Sequence, residues 1–175
     1  SRPRLVNKIP QDLTACHVRL LSALGDKLMG KVFIRPKPGQ ENSPYVHLIT
    51  SGYPVSKHKT IYQALRESRL IVCTSYSTTV FESLGINFPT ILVLTNYESI
   101  FRTENEPYMQ RLVDAGILFT DIEMAALKVN EIWSDVESWW SSNEVQSARK
   151  NFCERFSNRD EQSIRYLAQQ ISHGK

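Results

Sequence analysis

Two apolar runs of strand length, Leu70-Ile71-Val72-Cys73 and Thr90-Ile91-Leu92-Val93-Leu94, constrain this chain more than any other feature. Neither alternates polar with apolar residues, so neither suits a sheet with one face in water. Each fits a parallel strand covered on both faces. Between them, Thr78 to Leu84 carries Val80, Phe81 and Leu84 at helical spacing, with Gly85 expected to close the helix. A third short run, Ile117-Leu118-Phe119, follows a helical stretch from Glu106 to Gly116. Strands and helices alternating at such short intervals predict right-handed βαβ crossovers.

The expected fold class is therefore α/β: a Rossmann-like parallel sheet with helices on both faces and a helical C-terminal tail. Residues 1–10, with two prolines, read as a lead-in arm, and 11–175 as a single domain. A helix is expected from Asp12, its N-cap, through Leu13, Cys16, Leu20, Leu21, Leu24 and Leu28, ending at Gly30. Short strands are expected at Lys31 to Arg35, stopped by Pro36 and Pro38, and at Val46 to Ile49. Lys59 to Ser68 reads as a helix with Ile61, Leu65 and Tyr62 inward, and Asp121 caps another running to about Trp133. Trp133, Trp139 and Trp140 are expected to pack terminal helices rather than form a stacking platform.

Composition excludes several functions. No window approaches the ~18 uncharged apolar residues of a membrane span. A net charge of +3 spread over 175 residues is too weak and too diffuse for a nucleic-acid surface. Cys16, Cys73 and Cys153 are an odd, scattered set, which argues against a disulfide framework and for a reducing, cytosolic setting, with Cys16 and Cys73 as small buried hydrophobes. His17, His47, His58 and His173 lack zinc-ligand spacing, and neither His47 nor His58 sits in a nucleophile constellation, so no metal cofactor is expected. No export signal is visible, and the chain starts without Met, so it is expected to be a piece of a longer protein.

The chemistry is expected where a buried strand empties into a helix. Thr74 to Thr79 holds five Ser and Thr hydroxyls with Tyr76 among them. Free N–H groups and the positive dipole end of the following helix attract anions. Ser75, Ser77, Thr78 and Thr79 are the candidate phosphate ligands. A Ser or Thr N-cap explains one such hydroxyl but not a cluster. Glu82 stands at capping-box spacing from Thr79, or alternatively accepts hydrogen bonds from a ribose. A second loop, Phe33 to Gln40, presents Arg35 and Lys37 on a proline-stiffened strand end and is expected to face the first. Asn96 to Glu106, with Arg102 and Glu104, reads as a mobile ligand-facing loop. No P-loop, GxGxxG or GxSxG motif is present.

The stretch Ser68-Arg69-Leu70-Ile71-Val72-Cys73-Thr74-Ser75-Tyr76-Ser77-Thr78-Thr79-Val80-Phe81-Glu82-Ser83-Leu84-Gly85-Ile86-Asn87-Phe88-Pro89-Thr90 resembles the C-terminal, donor-nucleotide half of GT-B glycosyltransferases. It is similar in particular to a transferase family of bacterial surface-carbohydrate and O-antigen clusters, which shares a D/T-x-x-S-T-T-x-x-E-x-L-x-x-N-x-P segment. The close of the chain, Trp139-Trp140 followed by Val145-Gln146-Ser147-Ala148-Arg149 and Phe152 to Phe156, resembles that family too. Arg35-Pro36-Lys37-Pro38 is similar to the R-P-H-P strand end that Kdo transferases and sialyltransferases place beside CMP, with Lys37 where those enzymes have His.

The resemblance implies a metal-independent transferase using a nucleotide-activated sugar, a CMP-sugar foremost. It also implies an absent N-terminal acceptor domain carrying the base, so that this chain alone transfers little, and a cytoplasmic protein, at most peripheral to the inner membrane. The alternatives are a non-catalytic nucleotide- or phosphate-binding module and half of a sugar-nucleotide 2-epimerase.

Overall fold

A computed structural model describes residues 11–37, 39, 46, 52–95, 102–157 and 169, with side chains from residue 15 onward. The lead-in arm, His47, His173 and residues 96–101 lie outside the described residues. The chain divides into two compact units, Ser1–Ser56 and Lys57–Lys175.

In the first unit, helix α1 (Gln11–Ser22) is followed by a 3-10 turn, Asp26–Leu28. Leu20, Leu21 and Leu28 are buried. The helix begins before Asp12, which lies inside it, and ends six residues short of Leu28 because the chain breaks at Ala23 to Gly25. Gly30 at φ +74° turns the chain after the 3-10 segment. Lys31 to Arg35 is not a strand. Ile34 forms only a single parallel bridge to Val55, with Ile34 N–H donating to the Pro54 carbonyl at 2.9 Å and Ser56 N–H to that of Ile34 at 2.8 Å. β-branched residues favour extension, but prolines on one side and a glycine on the other leave room for one bridge. Val46 is helical and buried, against the expected strand, and 47–49 lie outside the described residues. Cys16 is half-buried rather than buried.

The second unit opens with α2 (Ile61–Arg66). Thr60 and Gln63 close a capping box there, each satisfying the other's backbone N–H. Then come β1 (Ile71–Cys73), α3 (Thr78–Gly85), β2 (Thr90–Val93), a 3-10 turn (Thr103–Asn105), α4 (Glu106–Asp114), β3 (Leu118–Phe119), α5 (Ile122–Ile132), α6 (Val136–Ser141) and α7 (Asn143–Phe156). The three strands are parallel in the order β1-β2-β3, with Cys73 beside Leu92 and Leu92 beside Leu118.

This is the mixed α/β architecture expected, a three-stranded parallel sheet flanked by helices with a helical C-terminal part. Because the strand order runs one way, two right-handed crossovers put α3 and α4 on the same face. The packing agrees. Val80 and Leu84 of α3, Met109 and Leu112 of α4, and Leu92 and Leu94 form one buried cluster with Trp140, Val145, Ala148 and Phe152 of the tail. Residues alternate across a strand, so Ile91 and Val93 face the other way. They too are buried, and α5, which reaches β2 and β3 without joining that cluster, covers them. Burial of each such side chain contributes about 1.5–3 kcal/mol. Trp140 is core as expected, while Trp133 and Trp139 are half-buried.

Candidate functional site

The β1–α3 loop starts from Cys73, whose fully buried thiol is pushed up to about 12 by desolvation and stays protonated. Tyr76 leans into the core. Its ring meets Phe81 edge-on at 4.9 Å, and partial burial raises its phenol to about 12. Tyr76 therefore remains a neutral hydroxyl packed against the hydrophobic cluster.

The Ser and Thr residues behave differently. Ser77 is the N-cap of α3 and has the extended backbone of a cap, φ −137° and ψ 170°, yet its side chain makes no capping hydrogen bond. Elsewhere in the unit Thr60, Asp121, Asp135 and Ser142 all accept from backbone N–H groups at the starts of α2, α5, α6 and α7. The hydroxyls of Ser75, Ser77, Thr78 and Thr79 have no hydrogen-bond partner among the described residues, and neither does the half-buried Glu82 carboxylate. The expected Thr79–Glu82 capping box is not formed, because the helix starts after Ser77 and both residues lie within it. Glu82 follows Thr78 by four positions and Thr79 by three, so the three share one flank of α3 while Val80 and Leu84 face the core. Uncapped N–H groups, free hydroxyls and one carboxylate thus gather at the carboxyl end of a buried strand, the position ligands take in open α/β sheets.

Arg35 and Lys37 belong to the first unit. Lys37 is exposed; Arg35 is half-buried, with its Nε enclosed and without a partner. Arg102 and Glu104 are both exposed and pair with each other at 3.8 Å. His58 is spoken for by Glu67, 3.2 Å away. Among the described residues no group of three or more His, Cys, Asp and Glu is placed to hold a metal ion, and no helix is long and apolar enough to cross a membrane.

A shallow depression of about 340 Å³ lies by the α5–α6 corner, lined by Lys128, Glu131, Asp135, Ser138 and Trp139 among others. Lys128 pairs with Glu131 at 3.0 Å and Asp135 caps α6, while the buried Trp139 Nε1 has no hydrogen-bond partner among the described residues.

The other end of α3 holds what sequence reasoning missed. Gly85 is the last residue of the helix, as expected, and the left-handed turn that follows falls on Asn87, at φ +60°. Phe88 N–H donates to the Ser83 carbonyl at 2.8 Å and Asn87 N–H to that of Leu84 at 3.1 Å, the paired bonds of a Schellman ending. Trp140 Nε1 donates to both Asn87 O and Asn87 Oδ1 at 3.0 Å. Gln146 Nε2 donates to Asn87 Oδ1 at 3.0 Å and to Trp140 O at 2.7 Å. Arg149 Nη1 reaches the Leu84 carbonyl at 2.9 Å, while its Nε donates to Gln146 Oε1 at 3.2 Å. The available signal was the N-x-P step after the helix and the W-W…Q-S-A-R close of the chain, two segments that meet here.

A family model described as LIC12162 family transferase matches residues 8–171. The chain belongs to the LIC12162 family of transferases. No curated protein and no solved structure matches it. In this transferase both quoted segments belong to the second unit, the Ser and Thr cluster at the start of α3 and Trp140 at its end.

Proposed function

We propose that this transferase chain is the donor-binding part of a glycosyltransferase of bacterial surface polysaccharide, holding the phosphate of a nucleotide-activated sugar at the start of α3. A CMP-sugar is the favoured donor, on the similarity of Arg35-Pro36-Lys37-Pro38 to the strand end of enzymes that use one. The supporting observation is the set of unpartnered hydroxyls on Ser75, Ser77, Thr78 and Thr79 at a helix start whose N-cap does not cap.

Cleaving the bond between the sugar's anomeric carbon and the phosphate oxygen leaves charge on the departing nucleotide. Preorganised N–H and hydroxyl donors lower the barrier by meeting that charge without having to reorganise. Glu82 accepts from a ribose hydroxyl in this reading. The acceptor and the base come from an N-terminal domain of the whole enzyme.

Thermal shift with CMP, UDP, GDP, CDP-glycerol and inorganic phosphate tests this. Stabilisation by one nucleotide above the others is expected, about 2.7 kcal/mol at 100 times its dissociation constant. A response to phosphate alone turns the reading into a phosphate-binding module, and equal indifference to all five overturns it.

A further inference from the structure

We infer that Asn87, Trp140, Gln146 and Arg149 are positioning residues for the phosphate site, setting from the far end of α3 where its first N–H groups and hydroxyls stand. This rests on the reading of the α3 start as the phosphate site. Helix α3 has eight residues and is about 12 Å long. A rod of that length tilted by about 5° at one end moves the other by about 1 Å. Displacements of that size at a reacting centre cost up to ~100-fold in rate.

At its N-terminus α3 has no side-chain cap to hold it. Its C-terminus is gripped by residues from two other helices, 53 to 65 positions away in sequence. The grip is directional. Trp140, only 5% exposed, fixes the left-handed Asn87 through two acceptors, Gln146 bridges Asn87 to the Trp140 carbonyl, and Arg149 takes the Leu84 carbonyl in the last turn. The Arg149 guanidinium also lies against the negative end of the helix dipole, leaving the positive end at Ser77 less opposed. The core beneath α3, where Val80 and Leu84 share one buried cluster with Leu92 and Phe152, holds the helix on the sheet. The hydrogen bonds at Asn87 and Leu84 add a directional hold at its C-terminal end.

The test uses the 175-residue chain with CMP and inorganic phosphate as probes, titrated by calorimetry at a temperature where each variant is fully folded by circular dichroism. Asn87→Gly keeps the left-handed turn and removes Oδ1; Arg149→Gln removes the charge and the fork; Gln146→Ala removes the bridge. Each is expected to bind both probes about tenfold more weakly while folded. Arg149→Lys is expected to recover part of the loss. In ligand-free spectra the Thr78 and Thr79 amide signals shift in the three weakened variants, which a purely stabilising role would not produce.

If the three folded variants bind as the parent does, while Thr78→Ala with Thr79→Ala binds more weakly, the positioning inference is overturned and the phosphate reading stands. If that double variant binds as the parent does, or the parent binds neither probe, the phosphate reading itself falls.

Discussion

The indole N–H of Trp140 is shared between the main-chain and side-chain oxygens of Asn87, each 3.0 Å away and 53 positions earlier in the chain. One donor thus fixes both the turn that ends α3 and the side chain that tops it. Trp140→Phe keeps the ring and removes the donor, leaving the Asn87 carbonyl without this partner. A loss of about 1–2 kcal/mol is expected in urea unfolding. Trp140→Ala also empties the core and is expected to cost about 3–5 kcal/mol. A Phe variant as stable as the parent would show that water replaces the indole.

Caps offer a comparison within one protein. Asp121 accepts from Met124 N–H at 2.8 Å and Asp135 from Ser138 N–H at 3.0 Å, whereas Ser77 caps nothing. Alanine at Asp121 or Asp135 is expected to cost about 1 kcal/mol. Alanine at Ser77 is expected to change stability by less than about 0.5 kcal/mol. Equal losses at all three positions, in matched denaturant melts, would mean that the Ser77 hydroxyl serves the helix after all.

Thr78→Ala with Thr79→Ala separates ligand from fold. Both positions lie in the first turn and neither hydroxyl has a partner among the described residues. Alanine is the better helix former, so the melting temperature is expected to hold or rise slightly. Nucleotide affinity is expected to fall at least about tenfold, the equivalent of one hydrogen bond to a charged group at about 1.5–3 kcal/mol. Calorimetry and a thermal melt on the same sample read the two quantities.

Alkaline pH is expected to destabilise the second unit through Cys73. The folded thiol, pushed from the usual 9.0 up to about 12, keeps a proton that the unfolded chain releases. Stability is therefore unaffected by this group below pH 9 and falls as pH rises from 9 towards 12. Tyr76, raised from 10.0 to about 12, adds to the fall at the upper end. Cys73→Ala is expected to flatten the early part of the decline, measured as urea midpoints between pH 8 and 11. A parent whose midpoint does not move over that range would refute the assignment.

Much of the second unit was legible because its signals are local. Unbroken apolar runs at Leu70 to Cys73 and Thr90 to Leu94 became β1 and β2, and Asp121 caps α5 as its position before Ile122 suggests. Lys31 to Arg35 misled because β-propensity describes a residue and not the availability of a partner strand; only Ile34 finds one. The end of α3 was legible in its position, at Gly85, but not in the turn that follows. Gly85 is the residue that composition favours there, but the left-handed position falls two residues later, on an Asn held by Trp140 and Gln146. Nothing within several residues of Asn87 encodes that hold. The Ser and Thr cluster was readable as a group, though not which member caps. Helix starts differ by one or two residues for reasons of packing, and the Thr79–Glu82 spacing fits a box that the observed start rules out.

Phe152, wholly buried beneath α3 and α4, is made long after the sheet it covers. A ribosome adding ~5–20 residues per second completes Phe119 seconds before Phe152 emerges, so the nascent sheet waits with Leu84, Leu92 and Met109 uncovered. A chain truncated before Phe152 is therefore expected to leave that part of the core without its cover.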